Sequence, residues 1–176
     1  MLKVIGIDPG LAATGVAVLQ GNGLTVKSFS YGTIKTSPQI SLPLRLNLIY
    51  TKLSALLEKE RPDVMVVEDV FSMEKFPQSG ITLGKVTGVI LLAGCHGNIP
   101  VMEIPVREAK QVLTGSGSSD KRQLEKAIRH LLNHHKPIKP YHASDAMALA
   151  MIRSVPSAID VPAGYATCAQ RCLIAF

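Results

Sequence analysis

Apolar and polar residues follow two rhythms along the chain. Lys3–Ile7, Thr14–Leu19 and Leu24–Lys35 are runs rich in Val, Ile, Thr or aromatic residues, separated by Pro-Gly and Gly-Asn-Gly signals. They predict three strands running up, down and up. From Leu42 the spacing lengthens. Leu42, Leu46, Ile49, Leu53 and Leu57 recur at helical intervals behind Ser41, a suitable N-cap, and Pro62 ends the helix. Asp63 to Glu68 is an apolar run closed by acids, which marks a buried strand beside a parallel neighbour. Ser79–Cys95 predicts a second helix with Gly84 and Gly88 on one face, and Val101–Ile104 a short strand. Asp120–Leu132 predicts an amphipathic helix with Leu124, Ile128 and Leu131 inward, and His142–Ser154 a last helix. Past Pro156 no period is visible, and a loose tail is expected.

The resulting order, βββαβαβαα, implies an α/β architecture: a mixed sheet covered by helices on both faces. One domain over residues 1–155 followed by a tail over 156–176 accounts for the length of 176 residues. A hydrophobic content of 47% excludes a mainly disordered protein. No window holds 18 uninterrupted apolar residues, so no membrane span is expected, and the N-terminus lacks a signal-peptide pattern. Cys95, Cys168 and Cys172 form no disulfide framework by number, which favours a reducing cytosol, and Cys95 is expected to pack as a small hydrophobe.

Charge adds a partner to this picture. Between Pro105 and Pro140 lie Arg107, Lys110, Lys121, Arg122, Lys126, Arg129, Lys136 and Lys139 against Glu108, Asp120 and Glu125. That segment carries five of the six excess positive charges of the chain. Arg122, Lys126 and Arg129 would line one side of a helix, and such a stripe suits a polyanion. The Gly115–Ser119 loop ahead of that helix reads equally as a phosphate cradle or a plain connector.

The acidic residues supply candidate chemistry. Asp8 closes the first strand and runs into the Pro9-Gly10 turn, which suits either a turn or a cation or phosphate site. Glu68 closes the fourth strand. If these strands are central neighbours, both carboxylates emerge at one sheet edge. Asp145 starts the last helix, three residues after His142 on the same face. Ala143, Ala146, Ala148 and Ala150 make that helix slim enough to bring Asp145 over Asp8. Three converging carboxylates without a nearby basic side chain repel one another, and one or two divalent cations remove that cost. Two metals in such a cluster suit phosphodiester cleavage.

The segments Gly6-Ile7-Asp8-Pro9-Gly10, Thr14-Gly15, Pro43-Leu44-Arg45-Leu46, Val67-Glu68-Asp69-Val70-Phe71 and Leu83-Gly84 with Gly88 stand in order along the chain. Lys110-Gln111-Val112, Gly115-Ser116-Gly117 leading to Lys121, and Ser144-Asp145-Ala146-Met147-Ala148-Leu149-Ala150 complete the series. In this register, over residues 1 to about 153, the chain resembles the RuvC family of Holliday-junction resolvases, bacterial endonucleases of RNase H-like fold. The resemblance implies a five-stranded sheet with three antiparallel strands followed by two parallel ones. It implies a cytoplasmic homodimer, paired through the Ser79–Cys95 helix, that nicks four-way DNA junctions and leaves 5′-phosphates. It further implies a branch-migration helicase complex as partner. Asp8, Glu68 and Asp145 match the family's metal ligands for Mg²⁺ or Mn²⁺, two per subunit. Lys110 and Lys121 match lysines near the scissile phosphate, and Phe71 an aromatic that stacks on unpaired bases. Lys85, Arg122 and Lys126 are expected on the DNA side.

One position departs from the commoner family pattern, which has aspartate where this chain has His142. A neutral imidazole suits Mn²⁺ better than Mg²⁺. His142 is therefore read as a fourth metal ligand with a preference for manganese, or else as a proton carrier. Other readings are a related nuclease acting on RNA or another branched substrate, and a junction-binding protein with a crippled site.

Overall fold

The computed structural model describes residues 1–22, 25–69 and 77–154. Strand β1 (Leu2–Asp8) is the centre of a five-stranded sheet, between β2 (Ala13–Asn22) and β4 (Val64–Glu68). The outer strands are β3 (Thr25–Lys35), beside β2, and β5 (Val101–Ile104), beside β4. β1, β2 and β3 pair antiparallel, whereas β4 runs parallel to β1 and to β5. The expected mixed sheet is therefore present, with strand ends displaced by at most three residues.

Strand periodicity decides which side chains face which layer. Val4, Ala17, Leu19, Val64 and Val66 enter one core, and Ile5, Ile7, Val16, Val18, Met65 and Val67 enter the other. Asp8 and Glu68 share the parity of Val4 and Val66, so both carboxylates belong to the first face. Register adds the second coordinate. The Lys3 N–H donates to Asp63 Oδ2 at 2.7 Å, and the Asp63 N–H donates to the Lys3 carbonyl at 2.8 Å. This pins Val4 opposite Val64 and carries the pairing on to Ile7 and Val67, the residues just before Asp8 and Glu68.

Helices α1 (Leu42–Glu60) and α2 (Pro77–His96) cover the second face. Ile49, Leu53 and Leu57 of α1 are buried as the periodicity predicts, and Arg61 closes the helix in a left-handed conformation before Pro62. α2 buries Val86, Ile90 and Ala93 but leaves Ile81 62% and Leu92 47% exposed. A Cβ added at Gly84 or Gly88 meets nothing within 4 Å. By length and composition alone, Gln78–His96 is apolar enough to cross a membrane, in contrast to the expectation from uninterrupted apolar runs. The packing of one side onto the sheet and α1 accounts for part of that apolar character.

The first face carries α3 (Val106–Thr114), α4 (Lys121–Leu131) and α5 (Tyr141–Ser154). α3 was not anticipated: it is only nine residues long, starts immediately after Pro105 and buries one residue, Ala109. In α4, Leu124 and Ile128 point inward, but Leu131 is 38% exposed and Glu125 occupies a buried position instead. Leu131 lies in the last turn of the helix. Cys95, expected as a small packed hydrophobe, is partly buried near the end of α2. The tail expected over 156–176 lies outside the described residues.

α5 sits closer to the sheet than alanines alone allow. Ala143, Ala146, Ala148 and Ala150 are buried, and two strand glycines face the backbone of the helix. A Cβ on Gly6 would stand 2.0 Å from the Ala146 carbonyl oxygen, and one on Gly15 would stand 2.0 Å from the His142 carbonyl oxygen. Both obstacles are backbone, so only a shift of the whole helix can relieve them. Gly6→Ala should cost about 1–3 kcal/mol or more in urea unfolding, the range for overpacking a core. Gly32→Ala, where an added Cβ meets nothing within 4 Å, should be neutral to within about 0.5 kcal/mol. Equal effects at the two positions would refute this account of the helix seat.

Candidate active site

Asp8, Glu68, His142 and Asp145 converge where the C-terminal ends of β1 and β4 meet the N-terminal turn of α5. Asp8 is 6% exposed, and its Oδ2 lies 2.6 Å from His142 Nδ1. Asp145 is equally buried; its Oδ2 stands 3.6 Å from Lys121 Nζ, and its Oδ1 is buried without a partner. Lys121, in contrast, keeps 57% of its side chain exposed. The expectation that no basic side chain lies near the carboxylates is thus corrected. The strand-helix juxtaposition hid this, because Lys121 arrives from the first turn of α4 rather than from the sheet.

Local structure explains each placement. After Asp8 the chain turns through Pro9-Gly10, and the Thr14 hydroxyl donates to the Gly10 carbonyl at 2.9 Å. Arg45 Nε donates to the Thr36 hydroxyl at 2.8 Å, and that hydroxyl donates to the Leu11 carbonyl. Arg45 of α1 therefore braces the loop behind Asp8, a role that its position in the sequence did not reveal. Lys121 is held by the N-terminus of α4. There Asp120 accepts from the N–H groups of Arg122 and Gln123, and Gln123 Oε1 accepts from the Asp120 N–H. Asp120 thus occupies the Arg122 and Gln123 amides, two of those a phosphate at this helix end would use. Gln111 organises the Gly115–Ser119 loop by accepting from the Gly117 N–H and donating to the Gly115 carbonyl, both at 2.9 Å.

The electrostatics follow from crowding. Burial pushes the Glu68 carboxyl up to about 8, helped by a hydrogen bond to Asp8 and by the negative charges of Asp8 and Asp145; Lys121 opposes. Asp145 is also raised, by burial and then by Asp8, with Lys121, Lys110 and His142 counteracting. His142 is raised chiefly by its hydrogen bond to Asp8, against the effect of its own burial. The site thus binds protons in place of positive charge. Lys110 belongs to this field through its effect on Asp145.

The remaining expected positions are distributed around this centre. Lys126 is exposed on α4, and Arg122, also exposed, adds to Lys139 in lowering the Tyr141 phenol at the start of α5. Arg129, third in the expected stripe, is only partly exposed and turns to Glu125 at 2.8 Å. Lys85 is exposed on α2, on the opposite layer from α4. Phe71 lies outside the described residues.

Residues 4–153 match the family model "Crossover junction endodeoxyribonuclease RuvC". The chain belongs to the RuvC family. A RuvC from Carboxydothermus hydrogenoformans is 42% identical over 151 residues, covering 85% of this chain and 93% of that one. A RuvC from Syntrophomonas wolfei is 37% identical over 150 residues, covering 85% and 87%. Among solved structures, T. thermophilus RuvC in complex with a Holliday junction substrate aligns with a TM-score of 0.80 at 28% identity, covering 86% and 92%. The fold is thus the RNase H-like fold of RuvC, and the family is one of divalent-metal-dependent nucleases.

The RuvC site is not a ready-made cage. Among the described residues, no group of three or more His, Cys, Asp or Glu side chains is disposed to hold an ion as it stands. Asp8 is turned to His142 and Asp145 to Lys121. The donor set still fits a hard divalent cation: carboxylate oxygens, one imidazole and the orphaned, buried Asp145 Oδ1.

A pH dependence follows. Glu68, Asp145 and His142 hold protons more tightly in the folded protein than in the unfolded chain. Stability from Glu68 is therefore whole below its ordinary value of 4.5 and lost as pH rises through about 8. The Asp145 and His142 contributions have the same sign. In metal-free buffer the melting temperature should fall across this window, and Glu68→Gln should flatten the profile and raise the melting temperature at pH 8. Stabilisation by added Mg²⁺ or Mn²⁺ should be larger at pH 8 than at pH 6, because the ion displaces protons. A Glu68→Gln protein less stable than its parent at pH 8 would contradict the assigned repulsion.

Proposed function

We propose that this chain resolves four-way DNA junctions by paired nicks, in recombination and repair in the bacterial cytoplasm. The observation that carries the proposal is the meeting of Asp8, Glu68, His142 and Asp145 at one sheet edge in a chain that matches RuvC over residues 4–153.

Asp8, Glu68 and Asp145, with His142 as fourth donor, are the residues that would hold Mg²⁺ or Mn²⁺, two ions per subunit. A bound divalent cation supplies Lewis-acid activation of water and of the phosphoryl group. The chain's own residues prepare the site for it. Asp8 orients His142 through Nδ1, which leaves Nε2 as the ring nitrogen to meet a cation or carry a proton. Lys121, paired with Asp145 but largely exposed, and Lys110, whose charge also acts on Asp145, would offset negative charge that develops on a phosphate. Hydrolysis at this centre leaves a 5′-phosphate. Arg122 and Lys126 extend positive potential away from the centre along α4 and would meet phosphates of a DNA arm. Phe71 would stack on an unpaired base near the crossover, and Lys85 would contact DNA from α2.

A junction with two-fold symmetry needs two matched cuts, which a homodimer provides. Exposed Ile81 and Leu92, with Gly84 and Gly88 open on α2, support that helix as the subunit interface. A branch-migration helicase complex is the partner that would deliver the junction.

The test compares junction, duplex and single-stranded DNA, with and without metal. Junction cleavage should require divalent metal, and Asp8→Asn should abolish it while leaving junction binding close to wild type. Wild-type protein that binds junctions but never nicks them would reduce this chain to a binding protein, and preferential cutting of RNA would reassign the substrate. His142→Asp should shift the preferred metal from Mn²⁺ toward Mg²⁺ if the imidazole is a ligand; unchanged cutting and metal preference would deny the nitrogen any special duty. Lys126→Ala should weaken junction binding and lower the slope of log affinity against log salt by about 1, as expected for one phosphate contact.

A further inference from the structure

α4 and α5 supply opposite partners of the site, Lys121 from one and His142 and Asp145 from the other, and a buried carboxylate joins them. Glu125, one turn after Lys121, is 7% exposed in a helix whose neighbouring inward residues, Leu124 and Ile128, are fully buried. Its Oε1 accepts from the Ile138 N–H at 2.9 Å and lies 2.8 Å from Arg129 Nε. Arg129 in turn reaches the His135 carbonyl through Nη1 at 3.5 Å. The connection between α4 and α5, residues 132–140, is thus held at two points by two α4 side chains. Ile138 is itself fully buried against the same core as Ala143 and Met147. It lies four residues before His142 and seven before Asp145, so any slip of the connection along α4 moves both.

A carboxylate is a costly way to fill this place. Burying a charged group is unfavourable unless it is paired and hydrogen-bonded, and an apolar side chain of similar volume is often as stable or more so. What the carboxylate adds over a leucine is a directional acceptor for one backbone amide, with the charge of one guanidinium beside it. Buried polar groups of this kind specify one arrangement among several near-isoenergetic ones. The arrangement specified here is the spacing of Lys121 Nζ from Asp145, 3.6 Å.

We propose that Glu125 is a positioning residue for phosphodiester cleavage, setting α5 against α4 so that Asp145 and His142 face Lys121. This deepens the proposed junction-resolving reading and rests on it. Glu125 touches neither substrate nor metal ligand; it acts through Ile138 and Arg129.

The test uses full-length protein with three changes at one position. Glu125→Gln keeps an oxygen for the Ile138 N–H, Glu125→Leu removes it, and Glu125→Asp keeps the charge but shortens the reach. Junction cleavage rate, junction affinity and the Mn²⁺ concentration for half-maximal rate are measured for each, with a thermal melt to correct for folded fraction. Glu125→Gln should stay near wild type. Glu125→Leu and Glu125→Asp should lower the rate by about tenfold to a hundredfold, as loss of supporting partners does around metal sites, and raise the Mn²⁺ requirement with affinity unchanged. Lys121→Met should cost less in the Glu125→Leu background than alone. Wild-type rates in folded Glu125→Leu, equal loss in Glu125→Gln, or an undiminished Lys121→Met effect would overturn the proposal. If Glu125→Leu does not fold, Glu125→Asp and Glu125→Gln decide it. Failure of the wild-type protein to nick junctions in either metal would instead overturn the functional reading.

Discussion

The close seating of α5 on the sheet is the constraint from which the rest follows. Main chain touches main chain at Gly6 and Gly15, where no side chain could be accommodated without moving the helix. Because α5 sits so low, its first turn meets the ends of β1 and β4 instead of passing over them. The same contact buries the Asp8 and Asp145 carboxylates and makes them feel each other. A fold element and a chemical site are thus one feature: the helix cannot be lifted without dispersing the acids, and the acids oppose the seat that brings them together.

That opposition gives the site its chemistry. In the protein alone the negative charge is balanced by what lies at hand: His142 on Asp8, Lys121 on Asp145, and protons retained by Glu68. None of these balances is complete, since Asp145 Oδ1 stays buried without a partner. A centre with such a deficit favours cations in general. The exposed lysines beside it favour anions. A phosphodiester accompanied by divalent metal satisfies both demands, and the excess of basic residues from Arg107 to Lys139 extends the second beyond a single phosphate.

Much of this was legible from residue patterns, for identifiable reasons. Apolar positions at helical spacing gave α1 and α4, apolar stretches bounded by turn residues gave α2 and α5, and Val- or Ile-containing runs gave all five strands. The placement of Asp8 and Glu68 at strand ends predicted a shared edge if their strands were neighbours, and the parallel register makes them so. Four features were hidden. α3 is too short and too exposed to leave a periodic trace. Glu125 looked like a surface charge because helical spacing alone does not reveal that a backbone amide from residue 138 meets it. Lys121 was a candidate through family resemblance alone, since only packing brings α4 to the site. Gly6 and Gly15 stood out only as members of the family segments, yet they matter for the carbonyls that lie against them. Glu125, Lys121 and the two glycines depend on contacts between segments distant in sequence, which local spacing does not report.

The account stands on carboxylates from β1, β4 and α5 sharing one cation. Anomalous diffraction from a crystal of this protein soaked in Mn²⁺ tests that most directly. The structure predicts anomalous density bounded by oxygens of Asp8, Glu68 and Asp145. Manganese found only elsewhere, such as among His130, His134 and His135, with nothing between the three carboxylates, would contradict it.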